Sequence, residues 1–328
     1  MPFDRSSVVA RSKRQLQPSM LLGVLVAALT ALAPAAAQQK QSLEPTDKPF
    51  LWKIEGPAPS YLYGTIHVPD ERVLKVPAVV KKALRLSDAF YAEIPLDMKT
   101  MTSAAGKMML PDDKTLKDVL PAELYERTDR YMKSKGFSIQ PFSKLKVWAF
   151  AAQLALLDYI REMGTKPALD VLLWGQARAR KKELGGLETL DEQVAVFDSF
   201  SEKEHVVLLT KTLDQLEEAA QKGEDPIRKL VNGYLRGDED ELLKLMNEYL
   251  DLDDPLDRRI YDKLITRRNQ RMAQRIIKTL KNDPGKSNFF AIGGGHLGGE
   301  RGVVALLEKN GLKLQRLTPE DAAGLRRP

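Results

Sequence analysis

The sequence predicts an α/β (α+β) protein: a mixed β-sheet core flanked by helices, with a large helical section in mid-chain. Three observations carry this. Short apolar and aromatic runs sit toward both ends, at 50–54, 61–65, 89–94, 288–292 and 312–317. Between about 115 and 281 the apolar positions recur with helical period. Glycine-rich turns follow the strands at both ends. The two ends therefore read as complementary halves of one core, with the helical section inserted between them.

Taken in order, Gln38 to Asp47 is a polar lead-in. Phe50 to Ile54 and Tyr61 to Thr65 form a hairpin around the turn cluster Gly56-Pro57-Ala58-Pro59. Pro77 opens a helix to Leu86, because its fixed φ and missing N–H suit a first helical position. Ala89 to Ile94 is a buried strand. Met98 to Leu110 reads as a looser segment whose four methionines supply adaptable apolar cover. Helices are predicted over Ala122 to Lys135, Ser143 to Arg161 and Ala168 to Lys181, then a short strand from Leu184 to Leu187. Ser201 and Glu204 make a capping box that starts a helix to about Lys222. Two helices follow, near Pro226 to Arg236 and Glu239 to Leu250. Pro255 opens a long basic helix that ends before Pro284. Asn288 to Ile292 is a strand, Gly298 to Lys309 a helix, and Leu312 to Leu317 the last strand.

Composition excludes several kinds of chemistry. The 328 residues contain no cysteine and three histidines. Disulfides, thiolate metal sites, a cysteine nucleophile and a lipidated cysteine are therefore ruled out. Arg5, Arg11, Lys13 and Arg14 precede the uncharged apolar run Met20 to Leu32, and Ala35-Ala36-Ala37 precedes polar Gln38. That layout predicts a secretory signal peptide over 1–37, cleaved after Ala37, ahead of a single domain over 38–328. The run is shorter than the roughly 20 apolar residues of a membrane span, so no stable span is expected after cleavage. An exported chain without cysteine points to a bacterial periplasm or to secretion. The formal charge of +6 falls to +3 when the four basic residues and Asp4 of the leader are removed. So balanced a chain carries no nucleic-acid footprint.

Imidazole chemistry rests on His67, His205 and His296. His67 and His296 each end a G-x-x-H motif, Gly64-Thr65-Ile66-His67 and Gly293-Gly294-Gly295-His296, just past an apolar strand. Open α/β sheets place ligands at that edge. Glu93 comes late in the Ala89 to Ile94 strand, where a carboxylate is costly unless it is paired or bound to a cation. If the three strands are parallel and aligned, two imidazoles and one carboxylate share a rim and can ligate a divalent metal. Glu93 then has two open roles, ligand or general base. Glu188, ending the 184–187 strand, and Gln193, one turn on, are further candidates. In the basic helix Ile260, Leu264, Met272 and Ile276 make a stripe whose missing step is Arg268, with Asn269 at its edge. An inward Arg268-Asn269 pair can bind a substrate anion or orient Glu93 or Glu188. Arg258, Arg259, Arg267, Arg271 and Arg275 read as a solvated face. His205 aligns with Leu209, Leu213 and Leu216 on one helix face and reads as structural.

These blocks, in this order, resemble the TraB/GumN (TraB/PrgY/GumN) family, related to the TIKI metalloproteases. The resemblance spans about Phe50 to Leu317. It rests on Leu62-Tyr63-Gly64-Thr65-Ile66-His67-Val68-Pro69, Glu93, Gly186-Leu187-Glu188-Thr189 with Gln193, Arg268-Asn269, and Ile292-Gly293-Gly294-Gly295-His296-Leu297-Gly298-Gly299. It implies a mixed sheet flanked by helices, similar to erythromycin esterases and ChaN-like proteins. It also implies metal-dependent peptide cleavage with His67, His296 and Glu93 as the catalytic and metal-binding residues, and a divalent manganese, cobalt or zinc ion. Glu188, Gln193, Arg268 and Asn269 are then substrate-binding or supporting groups. Ala168-Leu169-Asp170 departs from the family pattern, in which glycine often precedes the aspartate, and this counts against a role for Asp170. The expected function is a periplasmic or secreted metal-dependent hydrolase acting on a peptide or small molecule. The alternatives are a non-catalytic periplasmic binding or signalling protein using the same cleft, and a metal-free esterase-like hydrolase.

Overall fold

A computed structural model describes residues 46–327. The predicted signal peptide and its cleavage site lie outside the described residues. No helix among the described residues is long and apolar enough to cross a membrane.

Six strands form one mixed sheet: β1 (Leu51–Ile54), β2 (Ser60–Thr65), β3 (Ala89–Ala92), β4 (Glu183–Gly186), β5 (Asn288–Gly293) and β6 (Leu314–Arg316). Their order is β4-β3-β5-β2-β1-β6. β4, β3, β5 and β2 are mutually parallel, while β1 runs antiparallel to both β2 and β6. The expected hairpin is β1–β2. The expected meeting of the two chain ends is the insertion of β5 between β2 and β3. Aromatic side chains hold that insertion: the Phe90 and Phe289 rings stack at 5.7 Å and those of Tyr91 and Phe290 at 5.4 Å. Tyr61, Leu62, Tyr63, Phe90, Phe289 and Phe290 are buried in the middle of the sheet. Strands covered on both faces read as unbroken apolar runs, which is how they appear in the sequence.

The helices of seven residues or more are α1 (Ala78–Leu86), α2 (Met98–Lys107), α3 (Ala122–Ser134), α4 (Val147–Ala155), α5 (Leu169–Ala179), α6 (Leu190–Asp198), α7 (Glu202–Lys222), α8 (Pro226–Arg236), α9 (Glu239–Asn247), α10 (Pro255–Tyr261), α11 (Arg267–Asn282) and α12 (Val303–Lys309). The capping box at Ser201 and Glu204 starts α7 as expected. Several boundaries differ from the sequence reading. The looser segment from Met98 is helix α2, capped by the Asp97 side chain accepting from the Thr100 N–H. The helix expected from Ser143 to Arg161 is broken: α4 has nine buried residues, packed on every side rather than along one amphipathic face, and a 3-10 turn at Leu157–Tyr159 separates it from a short helix, Ile160–Met163. The 298–309 helix starts only at Val303, because Gly294–His296 forms a 3-10 turn and Gly299 turns the chain at φ 75°.

The long basic helix is interrupted. A π-turn, Asp262–Thr266, separates α10 from α11. Such single turns are commonly found beside functional sites. Ile260, Leu264, Arg268, Met272 and Ile276 are nonetheless all buried, so the guanidinium occupies the gap in the apolar stripe.

Candidate metal centre

The centre is assembled at the C-terminal rim of the parallel strands. Thr65 of β2 is in register with Gly293 of β5. His67 lies two residues beyond β2, and His296 closes the 3-10 turn that follows β5. β3 ends at Ala92, so Glu93 stands one residue past the strand rather than within it. Its backbone is still held, since the Glu188 N–H donates to the Glu93 carbonyl at 2.6 Å. His67, Glu93 and His296 are 4%, 7% and 1% exposed.

Glu93 is the hub. Its Oε1 is 3.8 Å from His67 Nε2 and 3.8 Å from His296 Nε2. The Gly293 N–H donates to the same oxygen at 2.6 Å. Its Oε2 accepts from Arg268 Nη2 at 2.5 Å and from Gln193 Nε2 at 3.3 Å. Arg268 bridges two carboxylates, because its Nε also donates to Glu188 Oε2 at 2.8 Å. Glu188 Oε1 accepts from Arg271 Nη1 at 2.9 Å. The missing step in the stripe is thus a buried ion-pair network. Glu188, Gln193 and Arg268 reach the centre through Glu93, and Asn269 reaches it through His296.

Each imidazole is oriented through Nδ1. His67 Nδ1 is 3.0 Å from Asp170 Oδ1. His296 Nδ1 is 2.7 Å from Asn269 Oδ1. The Asn269 amide has one sensible orientation, because its Nδ2 donates to the Arg301 carbonyl at 2.8 Å. Both Nδ1 atoms therefore carry a proton, which leaves each Nε2 as the ring atom that can ligate once it is unprotonated. Both Nε2 atoms are buried without a hydrogen-bond partner. The unprotonated Nε2 of His296, that of His67 once its proton leaves, and the Glu93 oxygen are the donor set a divalent cation takes.

The fit to a divalent ion can be tested on distances. Ligand atoms about 2.0–2.2 Å from an ion stand at most about 4.4 Å apart. The 3.8 Å separations fall inside that limit. No group of three histidine, aspartate or glutamate side chains among the described residues already has metal-holding geometry, so holding an ion here requires the side chains to draw closer. Gly293 leaves the space for this: a Cβ there would lie 3.1 Å from Glu93 Oε1 and 3.5 Å from His67 Nε2.

Glu93, Glu188 and Asp170 face Arg268, Arg271 and the His67 imidazole, so the buried charges are closely matched. Burial alone lowers the pKa of His67, but the Asp170 charge and hydrogen bond, with Glu93, outweigh it and lift the imidazole to about 9. His296 goes the other way. Burial and then Arg268 push it down to about 3 against the weaker pull of Glu93. Burial raises the Glu93 carboxyl, yet Arg268, the imidazoles and the Gly293 N–H hold it well below the usual range.

Two residues depart from the sequence reading. The alanine ahead of Asp170 counts against a role for it, and the structure gives it one. It sits buried in the first turn of α5 and holds His67. The preceding Ala168 caps the helix in extended backbone without difficulty, so glycine is not required. Arg271 was placed on the solvated face, but it pairs with buried Glu188. The sequence signals for Asp170 are an acid opening an apolar helix and its place in the family pattern, where alanine stands for the usual glycine. His205 is structural as expected, with Nε2 3.0 Å from the Phe197 carbonyl.

Fold and site define a mixed-sheet α/β protein with a buried centre of two imidazoles and one carboxylate at the strand rim. The chain belongs to the TraB/PrgY/gumN family, whose sequence profile matches residues 50–316. It is 32% identical over 310 residues to the Xenopus tropicalis protein named Metalloprotease TIKI2, covering 81% of this chain and 59% of that protein. It is 29% identical over 350 residues to the Amphimedon queenslandica Metalloprotease TIKI homolog, covering 93% and 68%. It is 28% identical over 310 residues to human Metalloprotease TIKI1, covering 81% and 61%. The chain thus spans about three-fifths of the length of the Xenopus and human relatives. No solved structure matches it.

Proposed function

We propose that the chain is an exported metal-dependent hydrolase of the peptidase type, with His67, His296 and Glu93 as ligands of a divalent manganese, cobalt or zinc ion. The observation that carries this reading is the pair of buried, partnerless Nε2 atoms aimed at one Glu93 oxygen. The names of the relatives support it. A bound ion supplies an activated water and polarises a carbonyl. Asp170 and Asn269 hold the imidazoles in the tautomer that ligation needs. Arg268 and Gln193 hold Glu93 Oε2, and Gly293 holds Oε1. A carboxylate with both oxygens already gripped suits a fixed ligand better than a base that must gain and lose a proton. The substrate is a peptide, and residues 1–37 direct export to the periplasm or outside the cell.

Elemental analysis of the purified protein tests the centre. Bound metal should approach one equivalent in the wild type and fall to background in the His67→Ala, His296→Ala double variant. Unchanged metal in that variant overturns the assignment. Cleavage of a synthetic peptide mixture with manganese, cobalt or zinc, read by mass spectrometry, tests the reaction.

A further inference from the structure

A cavity of about 30 Å³ lies beside the two imidazoles. Its two walls differ in kind. The sheet rim supplies one, with His67, Gly293 and His296. The other is apolar and comes from α8 and α9, as Leu230, Leu242 and Met246. That second wall is firmly seated. A Cβ on Gly295 would lie 2.4 Å from the Met246 sulfur, so glycine there lets Met246 close over the site. The Tyr234 hydroxyl of α8 donates to the Gly64 carbonyl at 2.7 Å. Arg316 ties down the start of α9 through Glu239 at 2.6 Å and the Gly237 carbonyl at 2.9 Å.

We infer that Leu230, Leu242 and Met246 form the specificity wall of the proposed hydrolase, and that the site takes a glycine- or alanine-sized side chain beside the bond to be cleaved. This rests on the hydrolase reading and adds a substrate class to it. The volume holds about one or two water molecules, which is methyl scale. An isobutyl group has to displace side chains that are themselves packed at core density. A charged side chain loses its hydration against leucine and methionine and gains no partner there. One extra methylene in such a pocket is discriminated by about 10–200-fold. Met246 is the residue to shorten, because its thioether sets the depth of the cavity above Gly295.

Two probes read the wall without turnover. N-acetyl-alanine hydroxamate and N-acetyl-leucine hydroxamate join a metal-chelating head to a methyl or an isobutyl group. Their affinities are measured by calorimetry on the manganese-loaded full-length protein. The wild type should bind the alanine compound at least about tenfold more tightly than the leucine compound. In Met246→Ala the ratio should collapse toward one, with the alanine compound little changed. Leu242→Val is the milder companion, with a smaller shift in the same direction. Equal affinities in the wild type, a ratio unmoved by both variants, or no binding of either probe overturns the inference. Alanine- and leucine-containing peptides are then compared for cleavage. Retained hydroxamate discrimination with no peptide cleaved sinks the peptidase reading and leaves the wall standing.

Discussion

His67 and His296 occupy matching positions, each closing a G-x-x-H turn after one of two adjacent parallel strands, each with Nε2 3.8 Å from the same carboxylate oxygen. Behind the ring they differ. A carboxylate holds His67 and an amide holds His296. The first imidazole is lifted to about 9 and the second pushed to about 3. The Nε2 atoms stand alike toward Glu93, while the Asp170 charge behind His67, and burial with Arg268 around His296, set the rings apart. One charged and one neutral support thus give two otherwise matched imidazoles opposite proton affinities.

The largest expected effect comes from removing what both histidines depend on. Arg268→Met leaves Glu93 and Glu188 buried without their shared cation, and breaking such a pair costs about 3–5 kcal/mol. Urea denaturation should show this loss. A change under about 1 kcal/mol means that the carboxylates found other partners.

Next, Asp170→Asn turns the His67 support into a copy of the His296 support. With the charge gone, burial prevails and the His67 pKa falls from about 9, which NMR titration of the metal-free protein reads directly. Metal affinity should drop about 10–100-fold, the usual effect of removing such a partner. An unmoved His67 titration means that Glu93, rather than Asp170, sets its charge.

The pH dependence of stability in the metal-free protein separates the two rings by sign. His67 is raised above its unfolded value near 6.5. Its contribution is complete below 6.5 and is lost as pH rises through about 9. His296 is depressed, so the unfolded chain binds the proton more readily. Its neutral burial contributes above 6.5 and is lost as pH falls toward about 3. His67→Gln should remove the alkaline slope and His296→Gln should flatten the acid one. Denaturation midpoints from pH 5 to 9 check this, and identical profiles for the two variants contradict the asymmetry.

The smallest effect concerns the wall above both histidines. Tyr234→Phe removes the hydroxyl that donates to the Gly64 carbonyl. It should cost about 1 kcal/mol. Hydrogen exchange should rise in α8 and α9 and leave β2 and β5 protected.

Much of the site was legible because its signals are local. Glycine before histidine after an apolar run, an acid ending an apolar strand and an arginine in a gap of an apolar stripe are all visible within a few residues. His67, His296, Glu93 and Arg268 were found that way. Asp170 was not, because it is 103 residues from His67 and an acid in a first helical turn is ordinary. Arg271 was hidden among basic neighbours that differ from it only in what they face. Helix α2 was missed because its N-cap, Asp97, outweighs a weak apolar pattern.

By itself, then, the sequence determined the strands, most helices, the four residues at the middle of the candidate site and the absence of thiol chemistry. Those follow from short-range periodicity and residue type. Only the tertiary structure decided that β5 enters between β2 and β3, that a carboxylate supports one imidazole and an amide the other, and that α8 and α9 close over both. Each of those depends on pairing between segments far apart in the chain, where side-chain packing and buried charge, rather than local pattern, select the partner.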